Sequence, residues 1–221
     1  MVARVVWTGV AAGGLIAGRV VLHNWGATKR ECLTVLPGDE QVADPATVVT
    51  RAVTVQAAAA DVWPWLVQIG QDRAGFYSYQ WLENLFGLDI HNADVIRPEW
   101  QQLAVGDRIR LVPPGWFKLP DGVTMRVSRI DPGHSLVLFG DPWPVVWSFH
   151  VVPVRPLRCR LIARSRSPKT FGLVRLGELI YDPITFVMTR KMLIGIRDRA
   201  ERSPAPDFDV SAPRPAETVA Q

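Results

Sequence analysis

Apolar and polar residues alternate along six stretches of the chain, a pattern typical of β-strands with one buried face. The stretches cover residues 47–55, 108–112, 123–130, 135–139, 145–154 and 158–167. Turns that contain proline or glycine separate several of them, such as Asp131-Pro132-Gly133. Short connections of this kind favour antiparallel neighbours, so we expect one antiparallel sheet.

Apolar residues recur at helical spacing in three other segments. The first helix is expected to begin with Asp61 as its cap and to stop at Gly70, and a second, short helix is expected over residues 78–87. The third segment, 173–200, carries a broad apolar stripe made of Ile180, Ile184, Val187, Met188, Met192, Leu193 and Ile196. Pro183 is expected to break or kink this last helix, because proline lacks a backbone donor, so its continuous part should begin near there.

The last predicted strand has two chemically different faces. One face carries Arg158, Arg160, Arg164 and Arg166, and the other carries Cys159, Leu161, Ala163 and Ser165. We expect the arginine face to be solvated, and the face of small side chains to leave room for a helix, a ligand or both. On the preceding strand, His150 is expected to lie outward on the surface, with a position facing a cavity as the alternative.

A cluster of aromatic residues interleaved with amides and carboxylates occupies residues 61–101. Its members are Trp63, Trp65, Phe76, Tyr77, Tyr79, Trp81, Phe86 and Trp100. Aromatic side chains bury a large apolar area, while Tyr and Trp keep a polar tip that needs a partner. The cluster is therefore either the wall of a ligand cavity or a dense local core.

Three strings carry a resemblance to a known family. They are VWPWLVQIGQDRAGFYSYQWLENLFGLDIHNADVIRPEWQ, the preceding WGATKRECLTVLPGDE and, near the end, FVMTRKMLIGIRDRAE. Through them the chain, from about residue 25 to 201, resembles an actinobacterial-type group within the START-like (SRPBCC) superfamily, which also holds polyketide cyclases, lipid-transfer domains and pollen-allergen-like proteins. The resemblance implies an α+β helix-grip fold, with a curved antiparallel sheet around a long C-terminal helix and an apolar cavity between them. It implies little about mechanism, because the superfamily mixes enzymes with carriers.

The two ends of the chain differ from its middle. Residues 1–24 are expected to form a membrane anchor, since 5–18 hold no charged residue and the apolar character extends to Leu22, close to the length of a membrane span. Arg19, Lys29 and Arg30 follow this stretch, which would keep the main domain at the cytoplasmic membrane, facing the cytoplasm. A signal peptide, or an apolar tail on a soluble cytoplasmic protein, is the alternative. We expect a connecting segment over 25–46, the START-like domain over 47–202 and a disordered tail over 203–221.

Charge and cysteine content exclude several classes of protein. The net charge of +4 is modest and the basic residues form no aromatic-basic motif, so we expect no nucleic-acid partner. Cys32 and Cys159 are far apart and in no metal-type spacing, which fits a reducing compartment. The chain has no HExxH, CxxC, GxSxG or nucleotide-binding glycine motif, so we expect no metal and no cofactor.

The candidate ligand-binding residues are aromatic, polar and methionine side chains: Tyr77, Tyr79, Trp81, Asn84, His91, Trp100, Trp116, Trp143, Trp147, Met188 and Met192. For each aromatic residue taken singly, packing in the core is the favoured role, and it is their number that favours a cavity. The catalytic candidates are His91 beside Asp94, as a general base, and Tyr79. For the His-Asp pair a hydrogen-bonded loop is the favoured explanation, because such pairs commonly satisfy backbone groups at turns. Glu83 is expected either at the mouth of the pocket or on a solvated helix face.

These observations favour binding, with transport as an extension, of a hydrophobic small molecule or lipid in an internal cavity. The first alternative is an enzyme similar to polyketide cyclases and dehydratases, in which His91 or Tyr79 moves a proton. The second is a membrane-tethered domain that recruits another protein through its outer surface.

Overall fold

The computed structural model of the chain describes residues 18–141, 143–169 and 173–202, and for 173–181 it describes the backbone only. Most of the expected membrane anchor and all of the expected tail lie outside these ranges. Within them, no helix combines the length and the apolar character that crossing a membrane requires.

Six antiparallel strands form one sheet in the spatial order β1-β6-β5-β4-β3-β2. They are β1 (Thr47–Val55), β2 (Arg108–Val112), β3 (Val123–Asp131), β4 (Ser135–Gly140), β5 (Val146–Arg155) and β6 (Arg158–Ser167). The first strand closes against the last over its whole length, from Thr47 opposite Ser167 to Val55 opposite Cys159. The predicted strands are confirmed to within one residue at each end.

Beside the sheet lie α1 (Lys29–Leu33), α2 (Ala59–Val67), α3 (Gln80–Leu85) and α4 (Leu173–Arg202). A further helical stretch covers residues 18–23. Asp61 lies within the first turn of α2 and not at its cap, where its carboxylate accepts a hydrogen bond from the Ala58 N–H at 3.2 Å. Helix α4 continues through Pro183, so the prediction that the helix breaks there and is continuous only beyond it is wrong, while the alternative of a kink stays a prediction. A proline removes one backbone donor, and here packing against β1 and α2 holds the rest of the helix.

Helices α2 and α4 cover the inner face of the sheet and form the main core with it. Val55, Phe149 and Leu161 from the strands meet Leu66 from α2 and Ile196 from α4 in one fully buried cluster. The long C-terminal helix held against a curved antiparallel sheet confirms the predicted helix-grip fold.

Helix α4 comes very close to the aromatic loop that follows α2. A Cβ added at Gly195 would contact the backbone oxygen of Tyr77 and would lie 2.9 Å from the Tyr77 Cβ. Tyr77 itself has a φ of 56°. Glycine at position 195 therefore allows the helix and the loop to approach backbone to backbone.

The outer face of β6 is covered from Arg160 to Arg166, which corrects the expectation for these three arginines, while Arg158 is exposed, as expected. Residues 28–43 lie across this face, and Arg164 is only 2% exposed. Its guanidinium lies 2.7 Å from the buried Asp39 carboxylate and also donates to the Thr50 hydroxyl and the Thr34 carbonyl. Because the covering segment supplies both a carboxylate and backbone carbonyls, the buried guanidinium is fully hydrogen bonded.

Neighbouring residues extend this covered surface. Arg160 pairs with Glu31 of α1 at 2.8 Å. His150 shares the outward parity, as predicted, but is 3% exposed instead of lying on the surface, and its Nε2 lies 3.0 Å from the Ser148 hydroxyl. Burial and the positive charge of Arg164 lower the pKa of His150 to about 4. The segment expected as a connector thus packs as part of the folded unit.

Candidate ligand cavity

A cavity of about 910 Å³ lies between the inner face of the sheet and the middle of α4, from Asp182 to Met192. Side chains from nearly every strand and from the helix line it, including Val49, Met125, Trp147, Ala163, Ser165, Met188 and Met192. The volume is in the range of sites that enclose a drug-sized ligand, and apolar groups provide most of the lining.

Small side chains on β6 leave this space open. Ala163, Ser165 and Ser167 point inward and line the cavity. Two residues earlier on the same face, Leu161 is fully buried in the core. The change from a large to a small side chain along one strand therefore divides the inner face into a packed end and an open end.

Five of the predicted ligand-binding residues line the cavity: Trp116, Trp143, Trp147, Met188 and Met192. The Trp147 ring packs against Phe149 with centroids 4.7 Å apart. The Trp116 indole N–H donates to the Phe86 carbonyl at 2.6 Å, which ties the loop after β2 to the end of α3. The Trp143 side chain is 60% exposed, so it forms part of the rim.

The aromatic residues predicted from the cluster at 61–101 mostly lie elsewhere. Tyr77 is fully buried in the core, where its hydroxyl donates to the Trp65 carbonyl and accepts from Gln68, and burial raises its pKa. Trp81 is 68% exposed on the outside of α3. Trp100 lies beside the Arg97 guanidinium, 5.3 Å from its ring centroid. None of these three lines the cavity.

The polar candidates in the same region also lie outside the cavity wall. Asn84 holds the loop after α3 through two hydrogen bonds to the backbone of Ile90, at 2.7 and 2.9 Å. Tyr79 lies under the ammonium group of Lys191, 5.7 Å from its ring centroid. His91 is exposed beyond the cluster. These side chains have structural contacts that do not bring them to the cavity.

The expected pairing of His91 with Asp94 is wrong. His91 Nε2 lies 3.0 Å from the Asp89 carboxylate, and both side chains are more than 70% exposed. Asp94 pairs instead with Arg199 of α4 at 2.7 Å. These contacts favour the interpretation of His91 and Asp94 as polar residues of a hydrogen-bonded loop over their interpretation as a general base and its partner.

Glu83 is the acidic side chain that α3 places in the cavity wall. It is 4% exposed, and no hydrogen-bond partner reaches its Oε2 within the described part of the chain. Burial raises the pKa of Glu83 to about 7. On this short helix the apolar Trp81 and Leu85 face solvent while the glutamate faces inward. That inversion is why the sequence left the position of Glu83 open.

Three further charged groups line the cavity, Arg51, Asp141 and Asp182, and sequence reasoning did not single them out. The Arg51 guanidinium is buried and donates to the carbonyls of Leu22 and Thr185 at 3.0 and 2.9 Å. Asp182 lies 3.0 Å from both Arg19 and His23. Arg51 looked like one member of a strand alternation, and its partners are remote in sequence. Among the described residues, no group of three or more His, Cys, Asp or Glu side chains is arranged to hold a metal ion.

Comparison with known proteins gives similarity in structure only. No protein-family model matches the chain, and no curated protein matches it. A protein from Thermobifida fusca, solved by NMR in solution, has 16% identity and a TM-score of 0.46, covering 70% of this chain and 93% of its own. The Zhui aromatase/cyclase from Streptomyces sp. R1128 has 17% identity and a TM-score of 0.42, covering 71% and 94%.

A third similar structure is norcoclaurine synthase from Thalictrum flavum. It has 17% identity and a TM-score of 0.42, and the match covers 81% of this chain and all of the other. The narrower resemblance, to a membrane-anchored actinobacterial-type group, stays a prediction.

Proposed function

We propose that this protein binds a hydrophobic small molecule or lipid in the cavity between the sheet and α4. The observation that carries the proposal is the cavity itself, about 910 Å³ of space lined mainly by apolar and aromatic side chains. A partly open space of this size, lined mainly by apolar groups with a few polar ones, has the form that is typical of small-molecule binding sites.

The two alternatives have less support. An enzyme of the cyclase or dehydratase type needs a group in the cavity that moves a proton. The predicted candidates His91, Asp94 and Tyr79 do not belong to the lining, which leaves Glu83, whose pKa is raised to about 7, as the candidate that the lining offers. A domain that acts only through its outer surface has no use for an internal space of this volume. Binding therefore comes first, and carriage of the bound molecule between locations is an extension of it.

The test is to fill the cavity and to ask whether binding is lost. Ala163→Trp and Met192→Trp each place an indole in the lining, so we expect co-purifying ligand, identified by mass spectrometry of organic extracts, to fall at least tenfold in both. Val152→Trp is the matched control, because it adds the same side chain at an exposed position on β5. Ligand recovery that is equal in all three folded variants would place the binding site elsewhere.

The proposal also places the domain on the cytoplasmic face of a membrane. The apolar stretch at residues 5–22 supports this, and its end is attached beside the cavity: the Leu22 carbonyl accepts from Arg51 and His23 contacts Asp182. A lipid surface at this point would lie next to the binding space. Removal of residues 1–17 should move the protein from the membrane fraction to the soluble fraction, and a full-length chain that is already monodisperse without detergent would contradict the anchor.

A further inference from the structure

The carboxyl group of Glu83 lacks a partner that a buried acid normally has. Its side chain is 4% exposed, it belongs to the cavity lining, and its Oε2 has no hydrogen-bond partner within the described residues. Buried polar atoms are almost always hydrogen bonded, because an unpaired one keeps the full cost of its desolvation. The space beside Glu83 is where a partner from outside the chain can bind.

The charges in the lining favour a partner that is positive. Asp141 and Asp182 line the same cavity as Glu83, and Arg51 is the basic residue among the described lining residues. The carboxylates therefore outnumber the cations. A negatively charged guest would meet repulsion from them, and a neutral guest would leave the Glu83 carboxylate without a counter-charge.

The basic group in the wall is already engaged. The Arg51 guanidinium donates to the carbonyls of Leu22 and Thr185 and lies 5.5 Å from the centroid of the Phe186 ring. Asp182 likewise contacts Arg19 and His23 at 3.0 Å. Among the described residues, Glu83 makes no side-chain contact of this kind and forms no salt bridge with Arg51.

The aromatic part of the lining suits the same chemistry. Phe76, Trp116, Trp143 and Trp147 contribute to the wall. The faces of aromatic rings carry negative potential and attract cations, while their area accommodates an apolar body. A carboxylate combined with aromatic faces is thus complementary to a molecule that joins a hydrophobic skeleton to one positive nitrogen.

On the basis of the proposed function, we propose that the ligand is a hydrophobic amine whose protonated nitrogen pairs with the Glu83 carboxylate. Its apolar body fills the space between the sheet and α4. The pair gives each charge its counter-ion and supplies the hydrogen bond that Oε2 lacks, and such charge-assisted bonds are the strong ones in a dry site.

Protonation gives this pairing a signature. Burial raises the pKa of Glu83 to about 7, so the carboxyl group becomes neutral as the pH falls below that value. An ammonium group binds the ionised form, and well below the pKa its affinity should fall about tenfold for each pH unit. Arg51, Asp141 and Asp182 face the same cavity and His23 contacts Asp182, so a neutral probe must be measured at each pH as the control.

The experiment compares three probes with one rigid apolar body: 1-adamantylmethylamine, 1-adamantylmethanol and 1-adamantanecarboxylate. Their affinities for the full chain are measured by isothermal titration calorimetry at pH 8. We expect the amine to bind roughly 10- to 100-fold more tightly than the alcohol, and the carboxylate most weakly. In Glu83→Gln the amine should fall to within about threefold of the alcohol, while the alcohol keeps its affinity. Glu99→Gln is the matched control, because Glu99 is an exposed glutamate outside the cavity lining, and it should leave the preference for the amine in place.

Each outcome decides between the two proposals. If the amine and the alcohol bind the wild-type protein equally, the amine proposal is wrong and the cavity function stands. If no probe binds, and the cavity-filling variants lose no native ligand, the cavity function fails as well. Tightest binding of the carboxylate would assign recognition to Arg51 instead. If Glu83→Gln does not fold, the wild-type ratio of amine to alcohol affinity between pH 8 and pH 6 decides, and a constant ratio overturns the proposal.

Discussion

Ala163 and Arg164 are neighbours on β6 and point to opposite faces of the sheet, and these two faces are packed in different ways. Ala163 points inward, where a small side chain leaves space for the cavity. Arg164 points outward, where residues 28–43 cover it and the buried Asp39 pairs with it at 2.7 Å. The inner face borders the cavity, where Glu83 Oε2 has no hydrogen-bond partner among the described residues, whereas on the outer face the buried charge of Arg164 is paired. The inner face therefore provides the space for a ligand, and the outer face provides many of the buried hydrogen bonds and ion pairs.

The largest effect should come from breaking the outer face. Arg164→Leu leaves Asp39 without its main partner and removes donors from the Thr34 and Glu31 carbonyls, so we expect a loss of about 3–5 kcal/mol in the free energy of unfolding. Chemical denaturation measures this loss.

Arg158→Leu is the matched control on the same strand, since Arg158 is exposed and its replacement should change stability by no more than about 0.5 kcal/mol. Equal effects of the two substitutions would mean that the ion pair of Arg164 with Asp39 does not stabilise the packing of residues 28–43 on the sheet.

A smaller effect should separate the two faces by the sign of their pH dependence. The pKa of Glu83 is raised to about 7, so its contribution to stability is complete below its ordinary value of 4.5 and is lost as the pH rises through 7. The pKa of His150 is lowered to about 4, so its contribution is present above its ordinary value of 6.5 and is lost as the pH falls toward 4. Between pH 4.5 and 6.5, a rise in pH therefore lowers the contribution of Glu83 to the free energy of unfolding and raises that of His150.

Single substitutions should reveal the two slopes. Relative to wild type, Glu83→Gln should gain about 1–3 kcal/mol in unfolding free energy on going from pH 5 to pH 8, because the cost of a buried charge disappears. His150→Gln should show the reverse trend, gaining stability relative to wild type as the pH falls from 7 to 4.5. Denaturation curves at five or six pH values test both, and profiles parallel to that of wild type would show that neither group is desolvated in solution.

The sheet could be predicted because its signal is local. Alternation and turn residues define each strand, and the strands agree with the prediction to within one residue. The small inward side chains Ala163 and Ser165 likewise indicated the space that the cavity occupies. Such features depend on what one strand presents to its two sides, and the sequence of that strand contains the information.

The covered outer face could not be predicted. The alternation of residues along a strand shows which side chains share a face, but not whether another segment of the chain packs on that face. An arginine row looks solvated until a distant segment supplies Asp39 and free carbonyls. The aromatic cluster was ambiguous for a similar reason. Trp65 and Tyr77 became a local core, while the tryptophans that reach the cavity, such as Trp116 and Trp147, come from later strands and loops. Glu83 depended on which side of a six-residue helix faced inward, and its apolar neighbours suggested the wrong side.

Gly195 does not line the cavity, but it influences the distance between α4 and the layer beneath the helix. The absence of a side chain there lets α4 touch the backbone at Tyr77, and this contact sets how far the helix stands from the layer beneath it. A methyl group at this position would push α4 away from the backbone at Tyr77. Because α4 is also one wall of the cavity, the cavity would change in size. The size of guest that the protein accepts can therefore change through a position that touches no guest, and a comparison of binding residues alone would miss that change.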